Sequence, residues 1–202
     1  MLLSAEEIAR ILRVGNDPLV ITPAPNPDEL RNSGAGAVDL RLGTWFMTPR
    51  HPRIGVLEVA EGRVSFGVED EIMRRHYVAF GERFILHPRA FVLAATLEWL
   101  RLPRSLAGYI MGRSSWGRRG LIIATASGVH PGFTGCLTLE LTNVGEVPID
   151  IRPGMAICQL FLHETKGSTV ADGSGFVGAR RPALGRIELD RIARALRKPG
   201  AT

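Results

Sequence analysis

Ala37-Val38-Asp39-Leu40-Arg41-Leu42-Gly43 alternates apolar Val38, Leu40 and Leu42 with charged Asp39 and Arg41. That period of two is the pattern of a strand with one face buried. Gly43 is expected to end it. Strand-like pieces then recur at roughly ten-residue intervals, among them Arg83 to Leu86, Ala90 to Leu97, Leu106 to Met111 and Leu121 to Thr125, each set off by Gly or Pro. Short strands with such punctuation point to an antiparallel sandwich, barrel or jelly roll. Neither a dinucleotide fingerprint nor a phosphate-binding P-loop occurs in the chain.

Outward from these strands the pattern changes. Ser4-Ala5-Glu6-Glu7 has capping-box spacing, and Ile8, Ile11 and Leu12 follow on one helical face, so a short amphipathic helix is expected to about Val14, ended by Gly15. Thr22 to Asp28 contains Pro23, Pro25 and Pro27. Their missing amides predict an extended, solvated connector. Beyond the strands, Gly167 to Gly185 is rich in glycine and small residues and reads as a mobile arm or lid. A last helix, about Glu188 to Arg197, carries Leu189, Ile192, Ala193 and Leu196 on one face and is expected to dock on the body.

The chain has 202 residues, 45% hydrophobic and 22% charged, enough for one domain with a sizeable core and unlike disorder or a fibrous repeat. Its longest apolar runs, Phe91 to Thr96 and Leu121 to Ala126, fall far short of the roughly 18 residues of a spanning helix. The N-terminus is acidic where a secretory signal would be basic. No membrane association and a cytoplasmic location are therefore expected. Cys136 and Cys158, the two cysteines, both lie in apolar strand-like segments and read as core residues. The formal net charge of +5 is almost wholly an arginine excess. It suits an anionic ligand, either a phosphate-bearing small molecule or a polymer, but no stripe of interleaved aromatic and basic residues supports nucleic-acid binding.

The densest polar cluster is Gly112-Arg113-Ser114-Ser115-Trp116-Gly117-Arg118-Arg119-Gly120. Forked guanidinium donors, two hydroxyls and glycines that let backbone amides approach an anion would make a phosphate cradle. An exposed basic turn between strands fits the same residues. In Cys136-Leu137-Thr138-Leu139-Glu140-Leu141-Thr142-Asn143 the alternation puts Leu137, Leu139 and Leu141 on one face and Thr138, Glu140 and Thr142 on the other. Glu140 either faces water or sits in a polar pocket with a partner such as arginine.

The ordered set Ala37-Val38-Asp39-Leu40-Arg41-Leu42-Gly43, Leu86-His87-Pro88, Thr96-Leu97-Glu98, Gly112-Arg113-Ser114-Ser115 with Arg118 and Gly120-Leu121, Pro131-Gly132-Phe133, Thr138-Leu139-Glu140, and Arg152-Pro153-Gly154-Met155 with Gln159-Leu160 resembles the dCTP deaminase branch of the dUTPase superfamily. The resemblance covers nearly the whole chain. It implies a mainly β, distorted jelly-roll (dUTPase-like) domain over residues 1–202, with an N-terminal helix and connector in 1–36 and an arm and helix in 167–202. It also implies a homotrimer with three interfacial active sites that hydrolyses the 4-amino group of dCTP, some members cleaving dUTP as well.

By the same resemblance Glu140 is the general base, with Arg118 and Ser114 completing the catalytic group. Arg113, Ser114 and Ser115 hold phosphates, Mg2+ arrives on the triphosphate, and Gln159 matches a nucleotide-contacting glutamine. The implied substrate contacts further include Trp116, Gly117, Ala126, Val129, His130, Thr138, Leu139, Phe176 and Arg180. The alternative route to cytosine deamination uses a zinc-bound water and a His-x-Glu and Pro-Cys-x-x-Cys signature, which the sequence lacks. Glutamate chemistry without zinc is expected.

The chain departs from the family pattern near the ligand. Val129-His130-Pro131-Gly132 stands where the family has isoleucine-aspartate-proline-glycine, so an imidazole replaces a carboxylate. Leu121 to Gly128 is one residue shorter than its counterpart and lacks a histidine. Gly175, Phe176 and Ala179 stand where a lysine, a tyrosine and a glutamine are expected, with Arg180 and Arg181 as candidate replacements for phosphate contacts. Deamination of dCTP is the leading expectation. The alternatives are a dUTPase-like nucleoside triphosphate pyrophosphatase and a catalytically reduced nucleotide-binding or regulatory homologue.

Overall fold

The computed structural model describes residues 1–32, 36–50, 72–167 and 178–185, together with Ile192. Helix α1 (Ala5–Ile11) starts as the capping box predicts, with Ser4 Oγ accepting the Glu7 amide at 3.2 Å. It ends at Ile11 and not at Val14. Leu12 is drawn into a bridge with Leu19, the Arg13 amide donates to Leu19 O at 2.9 Å, and Arg13 takes a positive φ of 60°.

Strand β1 (Val20–Thr22) leads to the proline-rich stretch, and here the connector expectation is corrected: Pro27–Asn32 forms a second helix, α2. Asn26 Oδ1 accepts the amides of Asp28 and Glu29 at 2.9 and 3.4 Å. Pro27 thus sits at the first helical position, where a missing amide costs nothing and its fixed φ is already helical.

The body is built from β2 (Val38–Pro49), β3 (Met73–Tyr77), β4 (Phe84–Leu86), β5 (Phe91–Thr96), β6 (Trp99–Arg101), β7 (Leu106–Gly112), β8 (Leu121–Ile123), β9 (Gly128–Val129), β10 (Thr134–Gly135), β11 (Thr138–Asn143), β12 (Ile149–Ile151) and β13 (Ala156–Glu164). All pairings among these strands are antiparallel. The main sheet has the order β8-β11-β5-β2-β13-β7-β9 with β3 beside β2, and it is flanked by β1-β6-β10 and β12-β4. The fold is mainly β, a curled jelly roll.

Gly43 does not end β2; it bends it. The first half pairs with β13 and the second with β5 and β3, and the β2–β5 register shifts between Leu42 and Phe46. A Cβ on Gly43 would lie 2.9 Å from Ala95 O, so only glycine permits the approach of the two backbones. The curl closes over Phe46, Leu40, Leu42, Leu139, Leu141, Leu160 and Leu162, with Ile8 of α1 packed on it, all at most 1% exposed. Phe46 stacks on Phe84 with ring centroids 4.9 Å apart.

Cys136 and Cys158 are buried free thiols, as the apolar strands around them predict. Among the described residues no helix is long and apolar enough to cross a membrane. The described part of the arm is docked on its own body: Gly178 N donates to Thr134 O at 2.7 Å, Cys136 N to Ala179 O at 2.7 Å and Ala183 N to Thr138 Oγ1 at 3.3 Å. Apart from Ile192, the helix expected at Glu188 to Arg197 lies outside the described residues.

Candidate active site

Strand β11 is held between β5, with Glu140 opposite Leu93, and β8, with Leu141 opposite Ile123. Its alternation is the expected one. Leu139 and Leu141 are fully buried while Thr138, Glu140 and Thr142 are half-buried on the other face. Beyond Ile123 the ladder continues by substitution, the Ala124 amide donating to Glu140 O at 2.8 Å and the Glu140 amide to Thr125 Oγ1 at 2.7 Å. The backbone on both sides of Glu140 is therefore fixed.

Glu140 opens into a cleft of about 430 Å³ that also takes in Ala126, Val129, His130 and Thr138. Five sequence-predicted residues thus come together. The rest of the lining is largely apolar, including Phe91, Leu93, Ile110, Phe133 and Leu184. No side-chain hydrogen bond or ion pair is made by the Glu140 carboxylate among the described residues. Among the described residues no arginine, the partner considered from sequence, lines this cleft of its own chain. His130 is exposed, on a turn closed by the Phe133 amide donating to His130 O at 3.1 Å. Leu139, by contrast, points into the core, so only its backbone is available to a ligand.

The basic loop lies elsewhere. Between β7 and β8 it forms a one-turn helix, Ser114–Gly117, with Ser114, Ser115, Gly117 and Arg118 exposed and Arg113 half-buried. None of Arg113, Ser114, Ser115 and Arg118 lines the Glu140 cleft. Five of the amides weighed for a phosphate cradle, those of Trp116, Gly117, Arg118, Arg119 and Gly120, donate to carbonyls within the loop at 2.9 to 3.1 Å. The side chains of Arg113, Ser114, Ser115 and Arg118 are what the loop offers an anion. Trp116 is turned inward, its indole Nε1 donating to Ala156 O at 3.1 Å, which ties the loop to β13. Gly120 has φ +89°, and a Cβ there would lie 2.7 Å from Gly145 N.

Beside the loop stands a residue that the sequence reading did not single out. Asp39 Oδ2 accepts from Arg113 Nη1 at 2.7 Å, and Asp39 Oδ1 accepts from Gln159 Nε2 at 3.0 Å. The signal was present: aspartate is depleted from strand interiors, as is glutamate to a lesser degree, and the question asked of Glu140 applied equally to Asp39. Asp39 and Gln159 share a second cleft, of about 480 Å³, with Arg41 and Glu98.

Arg180 lines a third cleft, with Trp45, Trp99 and Cys136, and Arg181 stacks on Trp45 with its guanidinium carbon 4.1 Å from the ring centroid. Neither arginine lines the Glu140 cleft of its own chain. Ala183 and Leu184 do, and nothing in the sequence pattern marked them. Phe176 lies outside the described residues. Burial pushes the Cys136 thiol up, opposed by Arg180 and reinforced by Glu98.

A cleft carboxylate on β11, a separate arginine–serine loop and a glutamine on β13, the strand paired with β7 ahead of that loop, occur together in this fold. The family model described as dCTP deaminase-like matches residues 2–165. The chain belongs to that family. It is accordingly a dCTP deaminase-like hydrolase, and relatives match almost end to end. It is 38% identical over 197 residues to a dCTP deaminase of Natronomonas pharaonis, covering 95% of this chain and 97% of the relative. It is 36% identical over 200 residues to a dUMP-forming dCTP deaminase of Dictyoglomus thermophilum, covering 94% and 96%. Among solved structures, the 2'-deoxycytidine 5'-triphosphate deaminase of Agrobacterium tumefaciens superposes with a TM-score of 0.59 at 20% identity, over 80% of this dCTP deaminase-like chain and 46% of that one. That likeness is one of fold.

Proposed function

We propose that this dCTP deaminase-like protein hydrolyses dCTP, or a closely related cytosine deoxynucleotide, to dUTP and ammonia, with water activated by Glu140. The observation that carries the proposal is the Glu140 carboxylate itself, half-buried, with its backbone N–H and C=O both bonded, facing a cleft that no arginine or lysine among the described residues lines. Glu140 takes a proton from water as the oxygen attacks C4, and delivers it to the ring nitrogen N3. The proton of the new C4 hydroxyl then passes by way of Glu140 to the 4-amino group, the C4–N bond breaks to release ammonia, and the carbonyl of uracil remains. One carboxyl can serve as base and then acid in such a sequence.

The triphosphate goes to Arg113, Ser114, Ser115 and Arg118. Because these lie outside the Glu140 cleft of their own chain, a complete site requires the loop of a second subunit, which supports a homotrimer with interfacial sites. Arg118 and Ser114 then reach the reacting base from the neighbour. Mg2+ enters with the triphosphate as its counter-ion. Among the described residues no group of three or more His, Cys, Asp or Glu is placed to hold a metal ion, and every step above uses the chain's own side chains.

A second reading, in which the dUTP formed is also cleaved to dUMP and pyrophosphate, is favoured by the dUMP-forming relative at 36% identity. Ammonia and pyrophosphate assayed separately from dCTP and from dUTP decide between them. Ammonia from dCTP with no pyrophosphate from either supports simple deamination. Ammonia and pyrophosphate together support the second reading, and pyrophosphate from dUTP without ammonia from dCTP contradicts both.

A further inference from the structure

We propose that Asp39 is a positioning residue for the triphosphate, holding Arg113 and Gln159 in register through its two carboxylate oxygens. The inference rests on the reading of the Arg113 loop as the phosphate site. Three adjacent strands create the arrangement. The β2–β13 register sets Asp39 opposite Gln159, and the β13–β7 register sets Cys158 opposite Gly112, the residue before Arg113. Asp39 and Gln159 therefore stand side by side with Met111 next in their row, and Arg113, just past the end of β7, reaches back to Asp39 through its guanidinium. Among the described residues each carboxylate oxygen has one partner, Oδ2 with Arg113 Nη1 at 2.7 Å and Oδ1 with Gln159 Nε2 at 3.0 Å.

The chemistry of the three groups says what this arrangement does. A guanidinium has five donors in a fixed plane, so one bond from Nη1 to Asp39 sets the direction of the plane and leaves donors for an anion. An ionised carboxylate only accepts, so it obliges Gln159 to turn its amide nitrogen, not its oxygen, toward Asp39. Gln159 then presents a defined acceptor on its far side. Side-chain exposures of 35% for Arg113 and 45% for Asp39 place the ion pair in the class that adds little to stability. Orientation is what remains for it to supply, and fixing the direction of a binding group before the ligand arrives lowers the entropy cost of binding.

Two effects of Asp39 on a triphosphate have opposite signs, which makes the proposal testable. As a bare negative charge near phosphates, Asp39 weakens binding, and Asp39→Asn would tighten it. As the group that aligns Arg113 and Gln159, it strengthens binding, and Asp39→Asn would loosen it. The experiment is a double-mutant cycle on the full-length protein, with Asp39→Asn, Arg113→Ala and the pair, reading KM and kcat for dCTP by ammonia release.

Asp39→Asn is expected to raise KM about tenfold with kcat within about threefold of wild type, and to add far less in the Arg113→Ala background. Asp39→Glu, which keeps the charge and displaces it by one methylene, is expected to recover part of the loss. The thermal midpoint of each variant separates these effects from misfolding, and it should move by no more than a few degrees for an exposed pair. A lowered or unchanged KM in Asp39→Asn, or a full additive loss in the double variant, overturns the role of Asp39 while leaving the phosphate loop intact. An unchanged KM in Arg113→Ala overturns the loop's phosphate role, and this inference with it.

Discussion

Arg41 Nε lies 2.6 Å from Glu98 Oε1, and the Arg41 amide donates to Glu98 Oε2 at 2.7 Å, while only 2% of the Glu98 side chain is exposed. This pair joins β2, next to the bend at Gly43, to the turn between β5 and β6. Removing one partner of a buried pair leaves the other uncompensated. Arg41 remains 39% exposed, so the penalty belongs at the lower end: Glu98→Ala is expected to cost about 2–3 kcal/mol, and Glu98→Gln, which still accepts the Arg41 amide, about 1 kcal/mol. Urea unfolding measures both. Equal stability of Glu98→Ala and wild type would remove the pair from the forces that hold the curl.

The second prediction concerns pH. Burial, reinforced by Glu98 and Asp39, pushes the Cys158 thiol up to about 12. Below the ordinary thiol value of about 8.5 both folded and unfolded chains keep the proton and the full stability is present. Above it the unfolded chain ionises first, so stability falls as pH rises toward about 12, by up to about 1.4 kcal/mol per pH unit. Urea midpoints between about pH 8 and 10.5 should drop less steeply in Cys158→Ala than in wild type. Parallel slopes would show that the thiol ionises as readily in the folded chain.

Gly120 closes the basic loop at φ +89°, where an added Cβ would meet the Gly145 backbone nitrogen at 2.7 Å. Gly145 is itself fixed by its amide donating to Asn143 Oδ1 at 2.9 Å, and buried Asn143 bonds Leu86 O and Val147 O in turn. Neither backbone can give way cheaply. Gly120→Ala is expected to destabilise the fold by about 1–3 kcal/mol and to raise KM for dCTP, since the loop carries the side chains proposed to bind phosphate. Thermal unfolding and steady-state kinetics check the two effects. An unaltered variant would contradict the strain assigned to this turn.

Separation of Glu140 from the loop predicts subunit complementation. Glu140→Gln subunits keep a sound loop, and Arg118→Ala subunits keep a sound carboxylate. If each site takes one part from each of two neighbours, random remixing of equal amounts should restore about a quarter of wild-type turnover. Ammonia release after co-refolding measures it. Activity no greater than that of either parent would place both parts of the site within one chain.

The sequence made much of this visible, and its misses share a cause. Alternation in β2 and β11 gives the strands, their buried faces and the side of β11 that carries Glu140, because period two depends only on neighbouring residues. The continuation of β2 through Gly43 escaped notice because a glycine that ends a strand and one that lets two strands touch look alike in one dimension. Asn26 and Pro27 escaped because the prolines were weighed as breakers and not as a cap and first helical residue. The amides of Trp116 to Gly120 were weighed as donors to an anion, yet the one-turn helix and the turn after it occupy them. Asp39 was hidden more deeply, since its partners Arg113 and Gln159 are 74 and 120 residues away and meet only through sheet register.

The measurement closest to the central claim compares Glu140→Gln with wild type for ammonia release from dCTP, alongside dCTP affinity by calorimetry. Glutamine keeps the shape and removes the proton acceptor. Turnover should fall by about two to four orders of magnitude, the usual contribution of a general base, while affinity changes by less than about threefold. Wild-type ammonia release from Glu140→Gln would contradict the assignment of Glu140 as the group that activates water.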